Sequence, residues 1–265
     1  MQYPISNIRD MCETQANNLN IHILAGDNLN ILKGFGDESY HLIYIDPPFN
    51  TMKTQKAAGG SYKDNLGEDY IAFLRPRLEE AKRILTKSGS LFVHLDYREV
   101  HYVKVELDKI FGRNCFINEI IWSYDYGGRS RSKWSCKHDT ILWYAKDPKN
   151  YTFNFSAMDR IPYMAPGLVG PIKAARGKTP TDSWWSTIVP TNGKERTGYP
   201  TQKPLSILTR IVKVHSNPGD NLLDFFSGSG SFGDAALRNN RKVTLIDQNP
   251  EAIAVMEKRF GIKAI

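Results

Sequence analysis

The alternation of short β-branched runs with amphipathic stretches constrains this chain more than any other feature. Residues 21–25, 43–45, 90–95, 221–226 and 242–246 are short, apolar and closed by turn residues, which predicts buried strands. Residues 70–85 place Leu74, Leu78, Ala81 and Leu85 on one helical face, with Pro76 expected to interrupt it. Val100, Val103, Leu107 and Phe111 form a second stripe, and Gly112 stops it. Pro204 stands where a helix favours proline, ahead of Leu205, Leu208, Ile211 and Val212. Asn249-Pro250 open a last helix with Ile253, Met256 and Phe260 inward. Residues 119–122 and 140–144 are two further strands, and residues 29–33 one or two helical turns. Strands alternating with helices predict an α/β fold with a doubly wound, mostly parallel sheet.

Two stretches break the rhythm. Residues 50–69 have no sustained apolar period and read as a mobile loop. Residues 149–198 are rich in Pro, Gly, Lys, Arg and aromatics, and Trp184 and Trp185 are expected to be packed core within them. The chain thus divides into residues 1–148, an insert of residues 149–198 with the basic loop 124–137, and residues 199–265. Charge follows the same division. Residues 124–200 hold 12 Lys and Arg against 6 Asp and Glu, a surplus of six in a chain whose net charge is +7. A near-neutral body with a basic insert suits a polyanionic partner such as nucleic acid. No apolar run approaches the roughly 20 residues of a membrane helix. Residues 1–20 are polar and mixed in charge, unlike a signal peptide. Cys12, Cys115 and Cys136 are odd in number and match no metal pattern, so a reduced, cytoplasmic setting without a metal is expected.

Two motifs carry chemistry. The run Ile43-Tyr44-Ile45 leads into Asp46-Pro47-Pro48-Phe49. The prolines fix φ and remove two backbone donors, so the turn is rigid. It presents a carboxylate, the Pro47 carbonyl and an aromatic ring together, an acceptor-only cradle suited to an amino group that gives up hydrogens. The plainer alternative is a strand-ending turn, with Asp46 capping and Phe49 filling core. Later, Gly228, Gly230 and Gly233 satisfy G-x-G-x-x-G between a strand and a helix, with Asp247 ending the next strand. Alone this fits a dinucleotide site, or a turn that only tightens packing. Asp224, just before the loop, adds negative charge where a pyrophosphate would sit. It suits a ligand with an ammonium group and no phosphates, such as S-adenosylmethionine, with Asp247 on the ribose.

These pieces together resemble the β subgroup of the DNA amino-methyltransferases, specifically the site-specific adenine-N6 enzymes. The resemblance rests on Gly26-Asp27, Asp46-Pro47-Pro48-Phe49-Asn50, Ser88-Gly89-Ser90 through His94, residues 194–204 with Thr201-Gln202-Lys203-Pro204, and Asp224-Phe225-Phe226-Ser227-Gly228-Ser229-Gly230. They occur with the catalytic turn first and the cofactor loop last. The resemblance implies a Rossmann-like, circularly permuted methyltransferase fold with a basic target-recognition insert. Phe49 stands where Tyr is frequent, and Tyr199 where His often precedes Pro-Thr-Gln-Lys-Pro.

The resemblance implies roles residue by residue. Asp46 and the Pro47 carbonyl accept the hydrogens of the adenine amine, Pro48 stiffens the turn, and Phe49 stacks on a base flipped out of the duplex. S-adenosylmethionine lies against Asn28, Asp224, Phe226, Ser227, Gly228, Ser229, Gly230 and Gln248, with Asp247 at the ribose and Asp27 at the adenine edge. Asp46 borders it too, and Thr201 and Lys203 at a helix start are candidates for its carboxylate. Arg129, Arg131, Lys133, Lys173, Arg176 and Lys178 are candidates for contact with double-stranded DNA. A homodimer and a cognate restriction endonuclease are further partners the resemblance allows, in a bacterial or phage-type cytoplasm at the nucleoid. Cytosine-N4 or RNA methylation, a nicotinamide or flavin oxidoreductase, and a binding module with a vestigial cofactor fold remain alternatives.

Overall fold

A computed structural model describes residues 20–57 and 60–265. Cys12 and nearly all of the stretch weighed as a signal peptide lie outside the described residues. The chain opens with β1 (Ile21–Ala25), α1 (Asn28–Lys33) and β2 (Tyr40–Ile45), then a separate ribbon of β3 (Lys53–Ala57) and β4 (Gly60–Asp64). Next come α2 (Tyr70–Ile84), β5 (Leu85–Leu95), α3 (Val100–Phe111), β6 (Phe116–Ser123) and β7 (His138–Ala145). After α4 (Pro171–Arg176) and β8 (Ser183–Trp185) the chain continues through α5 (Leu205–His215), β9 (Asn221–Asp224), α6 (Ser231–Arg238), β10 (Lys242–Asp247) and α7 (Pro250–Phe260).

The eight-stranded sheet runs β1-β10-β9-β2-β5-β7-β6-β8. Its neighbours pair in parallel except where β7 meets β5 and β6. No helix separates β6 from β7, so the chain returns as a hairpin and its second strand must be antiparallel. The late strands β9 and β10 stand between the two earliest, β1 and β2. Strand alternation clads the sheet on both faces. Ile43 and Ile45 join Leu74, Leu78, Val103 and Leu107 from α2 and α3 in one core layer. Leu42 and Tyr44 join Ile207, Ile211, Phe232 and Met256 from α5, α6 and α7 in the other. Burying each such side chain contributes roughly 1.5–3 kcal/mol. That burial holds the carboxyl ends of β9 and β2 rigidly side by side.

Several expectations are corrected. Residues 50–69 are not a structureless loop, because β3 and β4 pair antiparallel from Lys53↔Asp64 to Ala57↔Gly60. Polar bonds rather than apolar alternation anchor this ribbon. Buried Asp64 accepts from the Asn50 amide at 2.6 Å and the Thr51 hydroxyl at 2.5 Å. α2 runs through Pro76 without a break. Proline removes the N–H that would bond the carbonyl four residues earlier, and that residue, Ala72, is exposed. Trp184 is buried as expected, but Trp185 is 79% exposed. Both lie in β8, and successive side chains of a strand point to opposite faces. None of the described helices is long and apolar enough to cross a membrane.

Candidate active site

β2 and β9 are neighbours, paired at Leu42↔Leu222 and Ile43↔Leu223. From β9 the chain winds to β10 on one side, and from β2 to β5 on the other. Strand order therefore reverses between them, and an α/β sheet opens a crevice outside the carboxyl ends at such a point. Here the crevice is a cavity of about 520 Å³, within the range of small-molecule sites. The turn after β2 supplies Asp46 and Pro48 to its wall, the loop after β9 supplies residues 225–229, and the end of β10 supplies Asp247 and Gln248. Thr201, Lys203, Asn28 and Asp224 complete the set of candidates that line it.

On the catalytic-turn side, the Lys203 ammonium donates to both Asp46 oxygens, at 2.8 and 2.6 Å. It also lies 4.7 Å from the centroid of the Phe49 ring. Phe49 stacks in turn on His94, with centroids 6.1 Å apart and planes 26° from parallel. Beneath the turn runs a buried polar chain that sequence reasoning missed. Tyr44 and His94 share a hydrogen bond of 2.8 Å, His94 and Asp139 one of 3.1 Å, and the Tyr124 hydroxyl donates to Asp139 at 3.0 Å. Burial opposes ionisation of Asp139, but the His94 bond, with Lys203 and Tyr124 nearby, outweighs it and holds the carboxyl below its ordinary value. A histidine inside an otherwise apolar strand was the available signal, since buried polar groups require partners. The chain links the root of the basic loop, at Tyr124, to the floor under Phe49.

On the opposite wall, Asp224 is buried and accepts one hydrogen bond, from the Phe226 amide at 3.0 Å. Burial, reinforced by Asp46 and Asp247, pushes its carboxyl well above the carboxylate range. A buried acid so poorly solvated is a seat for a cation. Asp247 accepts from the Gly228 amide at 2.8 Å and the Asn249 amide at 2.9 Å. Burial raises its carboxyl too, and these amides offset part of the shift. Gly228 has φ +48°, and a Cβ there would meet the Tyr199 ring at 3.2 Å. Gly230 departs from its assignment, since it does not line the cavity. Its Cβ would meet Phe260 at 2.8 Å, and that of Gly233 would meet Leu245 at 2.7 Å. One motif thus serves two purposes: its first glycine faces the cavity, and the other two let α6 pack against α7 and β10.

Three further candidates are placed differently from expectation. Asp27 lies outside the cavity wall, capping α1 through the Asn30 amide at 3.0 Å and pairing with Arg77 at 2.9 Å. Asn28 lines the cavity, but its amide is tied to the Phe225 carbonyl and Arg77, both at 2.6 Å. Lys203 does precede a helix, yet Pro204 is its cap and the first helical amide, of Leu205, already donates to Glu195 at 2.9 Å. Thr201 lines the cavity in the left-handed region, at φ +57°, a costly conformation for a β-branched residue. The Tyr62 and Thr201 hydroxyls are 3.2 Å apart, and the Tyr62 ring is parallel to that of Tyr199 within 13°. The β3–β4 ribbon thereby covers one flank of the cavity, a role invisible in its sequence.

β6 runs in the same sense as β5 and β2, so the 124–137 loop leaves the sheet at the end that carries Asp46. Arg129, Arg131 and Lys133 are exposed there, with Arg129 paired to Asp125 at 2.5 Å. Lys173 and Arg176 are exposed on α4, and Lys178 is half-buried where its backbone bridges to Ile161. Among the described residues, no group of three or more His, Cys, Asp or Glu is arranged to hold a metal ion.

Known proteins share this arrangement. The model of a family described as DNA methylase matches residues 40–258. Over 240 residues the chain is 32% identical to the type II methyltransferase M.HpaI of Haemophilus parainfluenzae, covering 90% of this chain and 73% of that protein. Over 269 residues it is 31% identical to the DNA adenine methyltransferase YhdJ of Escherichia coli (strain K12), covering 96% and 88%. The PvuII DNA methyltransferase (cytosine-N4-specific) superposes with a TM-score of 0.69 at 18% identity, over 91% of this chain and 88% of that one. The M1.HpyAVI–SAM complex does so at 0.64 and 21% identity, over 91% and 100%. At these identities the two structures speak for the fold alone.

Proposed function

The chain belongs to the DNA methylase family, and from that premise we propose that it transfers a methyl group from S-adenosylmethionine to N6 of a flipped-out adenine at a specific double-stranded DNA sequence. The observation that carries this reading is the meeting, in one cavity, of an acceptor-only turn at Asp46 with two further acids, Asp224 and Asp247. Adenine is favoured over cytosine-N4 by the relative named as an adenine methyltransferase, and by the family resemblance, which implies adenine where aspartate rather than serine precedes the two prolines.

When bound, S-adenosylmethionine supplies an electrophilic methyl on a cationic sulfur. The cavity fits such a group, because buried Asp224 forms no ion pair among the described residues, and an ammonium would provide one. Asp247 keeps lone pairs free for ribose hydroxyls beside the amides it already accepts, and Gly228 leaves its side of the wall bare. On the other wall Asp46 accepts one amino hydrogen of the base, and the carbonyl of Pro47, a residue of the same turn that is not among those lining the cavity, is assigned the second. That draws the nitrogen lone pair out of conjugation and toward the methyl. As the N–C bond to the methyl of the bound cofactor forms and the S–C bond breaks, Asp46 would take one amino proton and pass it to solvent. Positioning and preorganised acceptors supply much of the acceleration. Phe49, fixed on His94, offers the stacking face, since the amine is out of reach within a duplex.

The 124–137 loop and the 149–198 insert are assigned to DNA recognition, with Arg129, Arg131, Lys133, Lys173, Arg176 and Lys178 on phosphates or base edges. We assign the enzyme to the cytoplasm, where its DNA substrate would lie, and a second copy or a cognate endonuclease would be its protein partners. Sequencing modified bases in DNA from cells expressing the protein tests the reading. N6-methyladenine at one recurring sequence is expected, and DNA without added methylation would refute it.

A further inference from the structure

The cavity wall carries three carboxylates, those of Asp46, Asp224 and Asp247, but Lys203 is the only lysine, arginine or histidine among its described lining residues. That ammonium is buried and committed to both oxygens of Asp46. It also lies against the face of Phe49. An ammonium donating to Asp46 over Phe49 stands where the proposed function puts the amino group of the target base. S-adenosylmethionine, for its part, brings a carboxylate into a cavity with one cation to meet it. At the helix start behind Lys203 the first amide, of Leu205, is already bonded to Glu195. A lysine is a compact charge on a flexible four-carbon stem, able to change partners by rotating its stem.

We propose that Lys203 is an exchangeable counterion: it masks Asp46 in the free enzyme, and the carboxylate of S-adenosylmethionine draws it away, unmasking Asp46 for the flipped base. This rests on the reading of the protein as a DNA amino-methyltransferase. Lys203 is then a positioning residue that makes cofactor and base bind cooperatively. Coupling of this kind is reciprocal, because each ligand changes the affinity of the other by the same factor. Removing the charge that competes for Lys203, as in Asp46→Asn, therefore strengthens cofactor binding.

The test uses a duplex carrying the methylated sequence with 2-aminopurine at the target position, whose fluorescence rises on flipping. S-adenosylhomocysteine serves as the second ligand, because it keeps the carboxylate and lacks the sulfonium charge. In the parent enzyme, saturating S-adenosylhomocysteine should tighten binding of the flipped duplex by a factor between about 5 and 150. 5′-Methylthioadenosine, which has no carboxylate, should leave it unchanged. Lys203→Met should abolish the coupling and Lys203→Arg should restore part of it. Asp46→Asn should bind S-adenosylhomocysteine more tightly than the parent, an arm that stands even if Lys203→Met fails to fold. Parent-like coupling in folded Lys203→Met, or unchanged or weaker S-adenosylhomocysteine affinity in Asp46→Asn, would overturn the exchange. A parent enzyme that methylates no DNA would instead strike at the proposed function itself.

Discussion

The cofactor wall and the basic loops are built on opposite plans. Asp224 and Asp247 are fixed by backbone amides and by burial at the ends of central strands, and burial raises both carboxyls. Arg129, Arg131 and Lys133 stand exposed on a loop, and Arg129 is held only locally, by nearby Asp125 and the Gly127 carbonyl among the described residues. The first plan makes every atom count, since a buried acid left without its cation is costly. The second sums many interchangeable charges, each worth little while solvated. A small ligand needs the first, and a polyanion long enough to touch several charges at once suits the second. The His94–Asp139–Tyr124 chain joins the two regions at their roots.

The sharpest way to break this comparison is at the turn between the two regions. Asp46→Ala should lower the single-turnover methylation rate by at least about 10²–10³, the scale of losing a preorganised group at the reacting atom. S-adenosylhomocysteine affinity should not weaken, because the proposed function sets Asp46 against the base. Labelled methyl transfer with parallel calorimetry reads both.

The glycine loop sharpens it next. Gly228→Val puts a branched side chain on the cavity wall at positive φ, and should weaken S-adenosylhomocysteine binding by roughly 10–100-fold. Gly230→Ala, one motif position later, should instead cost about 1–3 kcal/mol of stability by pressing on Phe260, seen as a lowered melting temperature. Equal effects of the two changes on ligand affinity would erase the distinction between a ligand-facing and a packing glycine.

Neutralising Arg129, Arg131 and Lys133 together should weaken binding to all DNA sequences. The slope of log affinity against log salt should flatten by up to about 3, since each phosphate left without its cation lowers the magnitude by about 0.9. Fluorescence anisotropy across a salt series measures it. A parent-like slope and site preference would take this loop out of the interface.

The mildest test is pH. If the cofactor ammonium meets Asp224 as proposed, it favours the ionised acid, so S-adenosylhomocysteine affinity should fall as pH drops through the raised Asp224 value, by at most about tenfold per pH unit. Asp224→Asn should flatten that dependence. In the ligand-free protein the sign is opposite. Between the ordinary and the raised value, the folded state holds a proton that the unfolded chain has released, so stability falls as pH rises across that window.

What was legible in the sequence follows the same physics. The sheet, the Asp46 turn and the acids at strand ends were readable because apolar runs closed by turn residues are local signals. The ribbon at residues 53–64 was not, since Asp64, Asn50 and Thr51 hold it by polar bonds and leave no apolar period. The same holds for the partnership of Asp46 with Lys203, 157 positions later, and of Tyr44 with His94, 50 positions later. These pairs exist only once β2, β5 and the start of α5 are brought together. The reversal of β7 and the packing role of Gly230 are likewise properties of neighbours in space. The basic insert was legible as a sum of charge, but not residue by residue.

The central claim is that Asp46 and the facing acids make one site for methyl transfer to an adenine amine. Its most direct measurement incubates the purified protein with duplex DNA and methyl-labelled S-adenosylmethionine, then digests the DNA to nucleosides. The account predicts label in N6-methyldeoxyadenosine for the parent and none above background for Asp46→Ala. Label in N4-methyldeoxycytidine, or equal label with the Asp46→Ala protein, would contradict it.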